Sequence, residues 1–104
     1  PYREFLFSED LAEAVIFLMN NVESSHLANG FINIGSGVDL TIAELAEVIK
    51  NLVGFYGIIK WDKDKPNGTP KKLLDVSLLN KFGWQYRTSL NEGIKEIYYN
   101  YNSI

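Results

Sequence analysis

The sequence contains no cysteine. That excludes a disulfide framework, a cysteine-ligated zinc site and a thiol nucleophile, and it fits a reducing cytosol. The single histidine, His26, stands in a polar loop with no second metal-ligand type at useful spacing, so a metal centre is not expected. Basic residues are not in excess. Ten Lys and Arg against thirteen Asp and Glu leave a net charge of −3, and the pI is about 5.0, which argues against binding to duplex nucleic acid. No apolar run approaches the ~20 residues that cross a bilayer, and no signal peptide is visible. The chain begins at Pro1 without a methionine and enters a strand and a helix almost at once, so it is expected to have been cut from something longer.

What is present is globular in composition: 104 residues, 46% hydrophobic and 13% aromatic, enough for one domain over residues 1–104 with its own core. Arg3 to Phe7 reads as short and extended. Ser8 has the character of an N-cap, with Glu9 and Asp10 in a first turn where the helix dipole favours anions. A helix is predicted from about Glu9 to Asn20. Its apolar set (Leu11, Ala12, Ala14, Val15, Ile16, Leu18, Met19) covers more than a narrow stripe, so neighbours should cover much of it. Phe31 to Ile34 reads as a buried strand. Thr41 and Glu44 form a capping box, and Ile42, Leu45, Val48, Ile49 and Leu52 follow at helical spacing up to a stop at Gly54. A strand-like run at Ile58–Trp61, a second one at Lys71–Val76, a short helix over Ser77–Phe82 closed by Gly83, and a last helix opened by Ser89 and Glu92 complete the pattern. The class is mixed α and β, with short strands and about three main helices; the strand order does not follow from the pattern.

Between the two strand-like runs lies Lys65-Pro66-Asn67-Gly68-Thr69-Pro70-Lys71-Lys72. Two prolines and an Asn-Gly pair exclude a regular helix and make a stiff, turn-rich loop. Cations at Lys65, Lys71 and Lys72 together with exposed backbone N–H groups suit an anionic, oxygen-rich ligand such as a sugar nucleotide. The alternative is a solvated connection whose lysines face water. Arg3, placed at the start of a strand, can fork to a phosphate through two N–H groups; otherwise it makes a surface ion pair.

Other motifs carry less. Gly35-Ser36-Gly37-Val38-Asp39-Leu40 has the outline of a dinucleotide fingerprint. Leu40 replaces the third glycine and Asp39 puts a negative charge where a pyrophosphate would sit, so a plain strand-to-helix turn is the better reading. Tyr56 and Lys60 have the Tyr-x-x-x-Lys spacing of a short-chain dehydrogenase. In an extended run they stand roughly 13 Å apart and cannot cooperate in proton transfer. Asp62 and Asp64 alternate with lysines and read as solvated charges. Trp61 and Trp84 read as core or rim residues.

Taken together, Pro1-Tyr2-Arg3-Glu4-Phe5-Leu6, Asp10-Leu11-Ala12, Asn33-Ile34-Gly35-Ser36-Gly37 and Thr41-Ile42 resemble the C-terminal part of extended short-chain dehydrogenases acting on nucleotide sugars. The run from Trp61-Asp62 through Lys65 to Asp75, with Gly83-Trp84 and Leu90-x-x-Gly93-Ile94, is similar more narrowly to the GDP-L-fucose synthase family. The resemblance covers essentially the whole chain. It implies a cytoplasmic, homodimeric NADP(H)-dependent enzyme that epimerises and reduces GDP-4-keto-6-deoxy-mannose. It places the cofactor fingerprint and all catalytic residues in a preceding Rossmann domain, leaving this chain as the substrate-binding lobe, inactive alone and binding no cofactor itself. Arg3 matches a family arginine that binds the GDP-sugar. Asn67 matches a position where the family usually has a substrate-binding aspartate, and Lys72 matches a lysine with a weaker substrate role. Lys71 stands where arginine is usual. A self-standing nucleotide-sugar binding module and a non-enzymatic interaction domain remain alternatives.

Overall fold

The computed structural model describes residues 1–102. Strand β1 (Tyr2–Glu4) pairs antiparallel with β2 (Asp39–Thr41), matching Tyr2 to Thr41, Arg3 to Leu40 and Glu4 to Asp39. Between them run α1 (Ser8–Asn21) and one 3₁₀ turn, Ser24–His26. After β2 come α2 (Ile42–Val53), the short α3 (Ser77–Lys81) and α4 (Leu90–Asn102). The mixed α and β class holds.

Where the sequence carried a complete local signal, the element forms. Thr41 Oγ1 accepts from the Glu44 N–H at 3.1 Å, and Glu44 Oε1 accepts from the Thr41 N–H at 3.4 Å. Gly54 ends α2 in the left-handed region at φ +72°, which a glycine adopts without a Cβ penalty. Ser89 accepts from the Glu92 N–H at 3.2 Å and donates to its carboxylate at 3.0 Å, opening α4. The helix α3 ends at Lys81, one residue earlier than predicted, with Phe82 as its cap. None of the helices among the described residues is long and apolar enough to cross a membrane.

Several expectations are corrected or extended. Ser8 is the first residue of α1 and not its cap; Phe7 holds the cap position with no side-chain bond. Asp10 lies in the first turn of α1 as expected, and it also reaches beyond its own helix. It is 3% exposed and accepts from the N–H groups of Arg87 at 3.0 Å and Thr88 at 2.8 Å, and from the Thr88 hydroxyl at 3.2 Å. It thus ties the first turn of α1 to the entrance of α4.

The covering expected over α1 is also missing. Ala14 is fully buried and joins Val76, Leu79 and Trp84 in the core, with Phe17, Leu18, Ile32 and Ile34 packed around them. Leu11, Val15, Ile16 and Met19 remain 44%, 42%, 60% and 79% exposed. The chain packs on one stripe of this helix and leaves the other open.

Finally, neither Phe31–Ile34 nor Ile58–Trp61 forms a strand. A strand needs a ladder partner, and no described segment supplies one. Ile32 and Ile34 still pack on the core, while the Asn33 amide donates to the Asp75 carbonyl at 3.4 Å. Ile58 is 84% exposed.

Asp10→Ala leaves two N–H groups at the α1–α4 junction without an acceptor. We expect a loss of about 1–3 kcal/mol in urea unfolding; a change within error would mean that water replaces the carboxylate there. Asp75 offers a pH test. The Ser77 backbone N–H, 3.0 Å away, and then the Ser77 hydroxyl hold its carboxyl below the ordinary value of 3.8. A lowered folded-state value adds stability that is present above the unfolded value and is lost as pH falls through the folded one. An NMR titration should place the Asp75 midpoint below 3.8, with Ser77→Ala moving it part of the way back; an unchanged midpoint in that variant would remove the hydroxyl as a contributor and leave the backbone N–H as the cause.

Candidate functional site

The loop over residues 65–72 is stitched along β1 by backbone bonds. The Tyr2 N–H donates to the Pro70 carbonyl at 2.7 Å, and the Lys72 N–H donates to the Tyr2 carbonyl at 3.4 Å. These two bonds bracket Tyr2 as one step of a parallel ladder, with Lys71 its partner. The expected strand over Lys71–Val76 amounts to this single bridge. Continued regularly, the ladder would bond the Glu4 N–H to the Lys72 carbonyl and then the Leu74 N–H to the Glu4 carbonyl. The Glu4 side chain takes that donor instead, at 3.3 Å from Oε1.

Arg3 projects from β1 towards the same loop. Its Nη1 donates to the carbonyls of Thr69 at 2.7 Å and of Tyr2 at 2.6 Å. Gly68 sits at φ +73°, and a Cβ on it would lie 3.5 Å from Arg3 Nη2, so the guanidinium and the Asn-Gly turn are in close approach. One nitrogen of the fork is therefore pinned to the loop. Nη2 and Nε have no protein acceptor among the described residues, which leaves donors for an anion. Among the described residues the surface ion pair that was the alternative for Arg3 does not form; the ion pairs there are Lys71–Asp39 and Arg87–Glu13.

Asn67 and Lys72 are exposed on this loop, and their side chains have no partner among the described residues. Lys71 does not join them. Its ammonium lies 3.7 Å from Asp39 Oδ2 and 5.8 Å from the centre of the Tyr2 ring. That distance exceeds a hydrogen bond, and Asp39 Oδ2 is buried with no hydrogen-bond partner, so the pair is a loose electrostatic contact. The convergence of loop cations expected from the sequence thus excludes Lys71.

The glycine turn after Ile34 is filled from within. Glu4 Oε2 accepts from the Gly37 N–H at 2.6 Å and from the Ser36 hydroxyl at 3.5 Å. A Cβ on Gly35 would stand 2.7 Å from that oxygen. An internal carboxylate occupies the cradle that a pyrophosphate would need, so this turn does not fit a dinucleotide. Tyr56, 96% exposed and outside any helix, is likewise no partner for Lys60. No group of three or more metal-binding side chains occurs among the described residues. The His26 Nδ1 instead accepts from the Glu23 N–H at 3.3 Å, closing the 3₁₀ turn. An apolar cavity of about 380 Å³ lies between the Phe5–Phe7 segment, β2, α2 and α4 and is lined mainly by residues such as Phe7, Leu45 and Ile94; Arg3, Asn67 and Lys72 do not line it.

Sequence reasoning missed the part played by Glu4. The signal available was an acidic residue in a strand beside a Gly-Ser-Gly turn, which is weak without knowing that the two segments meet.

No family model matches the chain. Curated sequences do. A probable GDP-L-fucose synthase 1 of Oryza sativa is 48% identical over 98 residues, 94% of this chain and 29% of that protein. The GDP-L-fucose synthase of Escherichia coli is 44% identical over 103 residues, 94% of this chain and 32% of that protein. Among solved structures, a GDP-6-OMe-4-keto-L-xylo-heptose reductase from C. jejuni superposes with a TM-score of 0.93 at 37% identity, over 98% of this chain and 31% of the other. A GDP-mannoheptose C4 reductase from Campylobacter jejuni, solved with NADP bound, gives 0.88 at 38% identity over 97% and 32%. The class defined by fold and sequence is that of the extended short-chain dehydrogenases represented by these GDP-sugar reductases and synthases. Within it the chain is similar to GDP-L-fucose synthases over 94% of its own length, and it spans about a third of the length of the relatives it matches.

Proposed function

We propose that this chain is the substrate-binding lobe of an NADP(H)-dependent epimerase/reductase of GDP-L-fucose synthase type, with Arg3, Asn67 and Lys72 holding a GDP-sugar. The observation that carries the reading is the meeting of Arg3 with the Asn67–Pro70 turn, the most family-specific stretch of the chain. In this reading Nη1 of Arg3 fixes the fork to the loop through the Thr69 carbonyl. The remaining donors face the diphosphate, where charge-assisted bonds are short and strong. Asn67 offers both an acceptor and donors to the nucleotide or sugar, and Lys72 adds a point charge. Holding the nucleotide orients the sugar for chemistry done elsewhere, and such orientation is itself a large catalytic contribution. Bound NADP(H) would supply the hydride; the described residues offer its pyrophosphate no cradle, so a preceding Rossmann domain carries it, together with the catalytic groups and the dimer contacts.

Surface area supports a lobe rather than a self-standing module. The chain exposes 7962 Å², against about 5,900 Å² for a folded monomer of this mass. Its radius of gyration is 16.8 Å, against about 13 Å for a compact domain of this length. The open face of α1 contributes to that excess and suits a surface that packs on another domain.

A ¹⁵N–¹H titration of the chain with GDP-fucose, using a UDP-sugar as control, tests the reading. We expect saturable GDP-selective shifts at Arg3 and from Asn67 to Lys72. Arg3→Ala should weaken binding roughly tenfold or more, since a charge-assisted pair is worth about 1.5–3 kcal/mol and 1.4 kcal/mol is tenfold. A well-dispersed spectrum without shifts would show that the lobe folds but carries no half-site. NADPH oxidation by the chain alone would contradict the lobe assignment.

A further inference from the structure

We propose that Glu4 is a positioning residue for the anion-binding loop, a proposal that rests on the GDP-sugar reading above. Arg3 and Glu4 are neighbours on β1, and alternation along a strand turns their side chains to opposite faces. Arg3 works on the ligand side. Glu4 works behind it, where its carboxylate collects donors from two segments distant in sequence. Oε2 takes the Gly37 N–H at 2.6 Å and the Ser36 hydroxyl at 3.5 Å, and Oε1 takes the Leu74 N–H at 3.3 Å.

The Leu74 bond lies two residues beyond Lys72. On its other side the loop is held to β1 by the Tyr2–Pro70, Lys72–Tyr2 and Arg3–Thr69 bonds. No further backbone bond from this segment to β1 follows Lys72, and Glu4 closes the gap. Without that closure the segment carrying Lys72 hangs on one ladder step, and the exposed turn at Asn67 and Gly68 loses the outermost of the anchors that follow it in the chain.

The two N–H donors, one on each oxygen, also make the carboxylate form specific. A glutamine of the same size places an NH₂ against one of the N–H groups, so one donor is left facing another donor. Gly35 fits the same design. It is buried, and any side chain there would meet Glu4 Oε2 at 2.7 Å; the flexible carboxylate would then have to leave its amides.

Glu4→Gln and Gly35→Ala test this by two routes that end at the same clamp. Both variants are titrated with GDP-fucose, and amide exchange is read at Gly37, Lys72 and Leu74, with the Asp10-bound amides of Arg87 and Thr88 as the internal control. If the loop is out of place nine-tenths of the time, the apparent Kd rises roughly tenfold. We expect that rise in both variants, with faster exchange at Gly37 and Leu74 and unchanged protection at Thr88. An unchanged Kd in both overturns the proposal. So does a parallel loss of protection at Thr88, which would make Glu4 a determinant of the whole fold and not of the loop. A wild-type chain that binds no GDP-fucose overturns the half-site reading itself, and with it the proposal.

Discussion

Two buried or half-buried carboxylates hold this chain together where its apolar core is too small to do so. Among the described residues four hydrophobic side chains are buried: Ala14, Val76, Leu79 and Trp84. Against them stand Asp10, with its three donors from Arg87 and Thr88, and Glu4, with donors from Ser36, Gly37 and Leu74. Bonds to charged acceptors contribute about 1.5–3 kcal/mol each, more than neutral ones. They are also directional, which hydrophobic burial is not. Each carboxylate joins the N-terminal end of the chain to segments at least 30 residues away, so the termini and the loop take fixed relative positions despite a thin core.

This division of labour explains which parts were legible in the sequence. Thr41 with Glu44, Gly54, and Ser89 with Glu92 are signals complete within four residues, and each behaves as its local chemistry dictates. The strands expected at Phe31–Ile34 and Ile58–Trp61 depend on a partner, and β-propensity alone cannot supply one. The first helix was read correctly as apolar on more than one side, yet the described residues cover only part of it. Asp10 was read by its place in a helical first turn, whereas its tertiary partners are 77 and 78 residues away. No local rule reaches that far.

The candidate site shows the same mixture. The stiff loop with its Asn-Gly turn was legible because proline and glycine restrict the backbone wherever they occur. That Arg3 meets it was reachable only through family resemblance, since 66 residues separate Arg3 from Thr69. Charge counting overestimated the loop as a cluster of cations. Lys71, next to Lys72, is drawn aside by Asp39 and the Tyr2 ring. Adjacent residues on a strand-like segment point to opposite faces, so two neighbouring lysines supply one charge to each side.

That alternation has a consequence for specificity. A loop of three free ammonium groups would bind any polyanion, with an affinity that falls steeply with salt. Here one cation is withdrawn, and another, Arg3, is fixed by carbonyl acceptors so that its remaining donors point in a defined direction. Guanidinium recognises a phosphate through planar, paired N–H groups, where an ammonium acts as a point charge. Under the proposed function, selectivity between nucleotide sugars would lie less in charge than in the orientation of one fork and one amide side chain, Asn67. Such orientation survives only if the backbone beneath it is rigid; on this chain Pro66 and Pro70 stiffen the turn from either side, and the bonds to Tyr2 and Glu4 hold the segment that follows it.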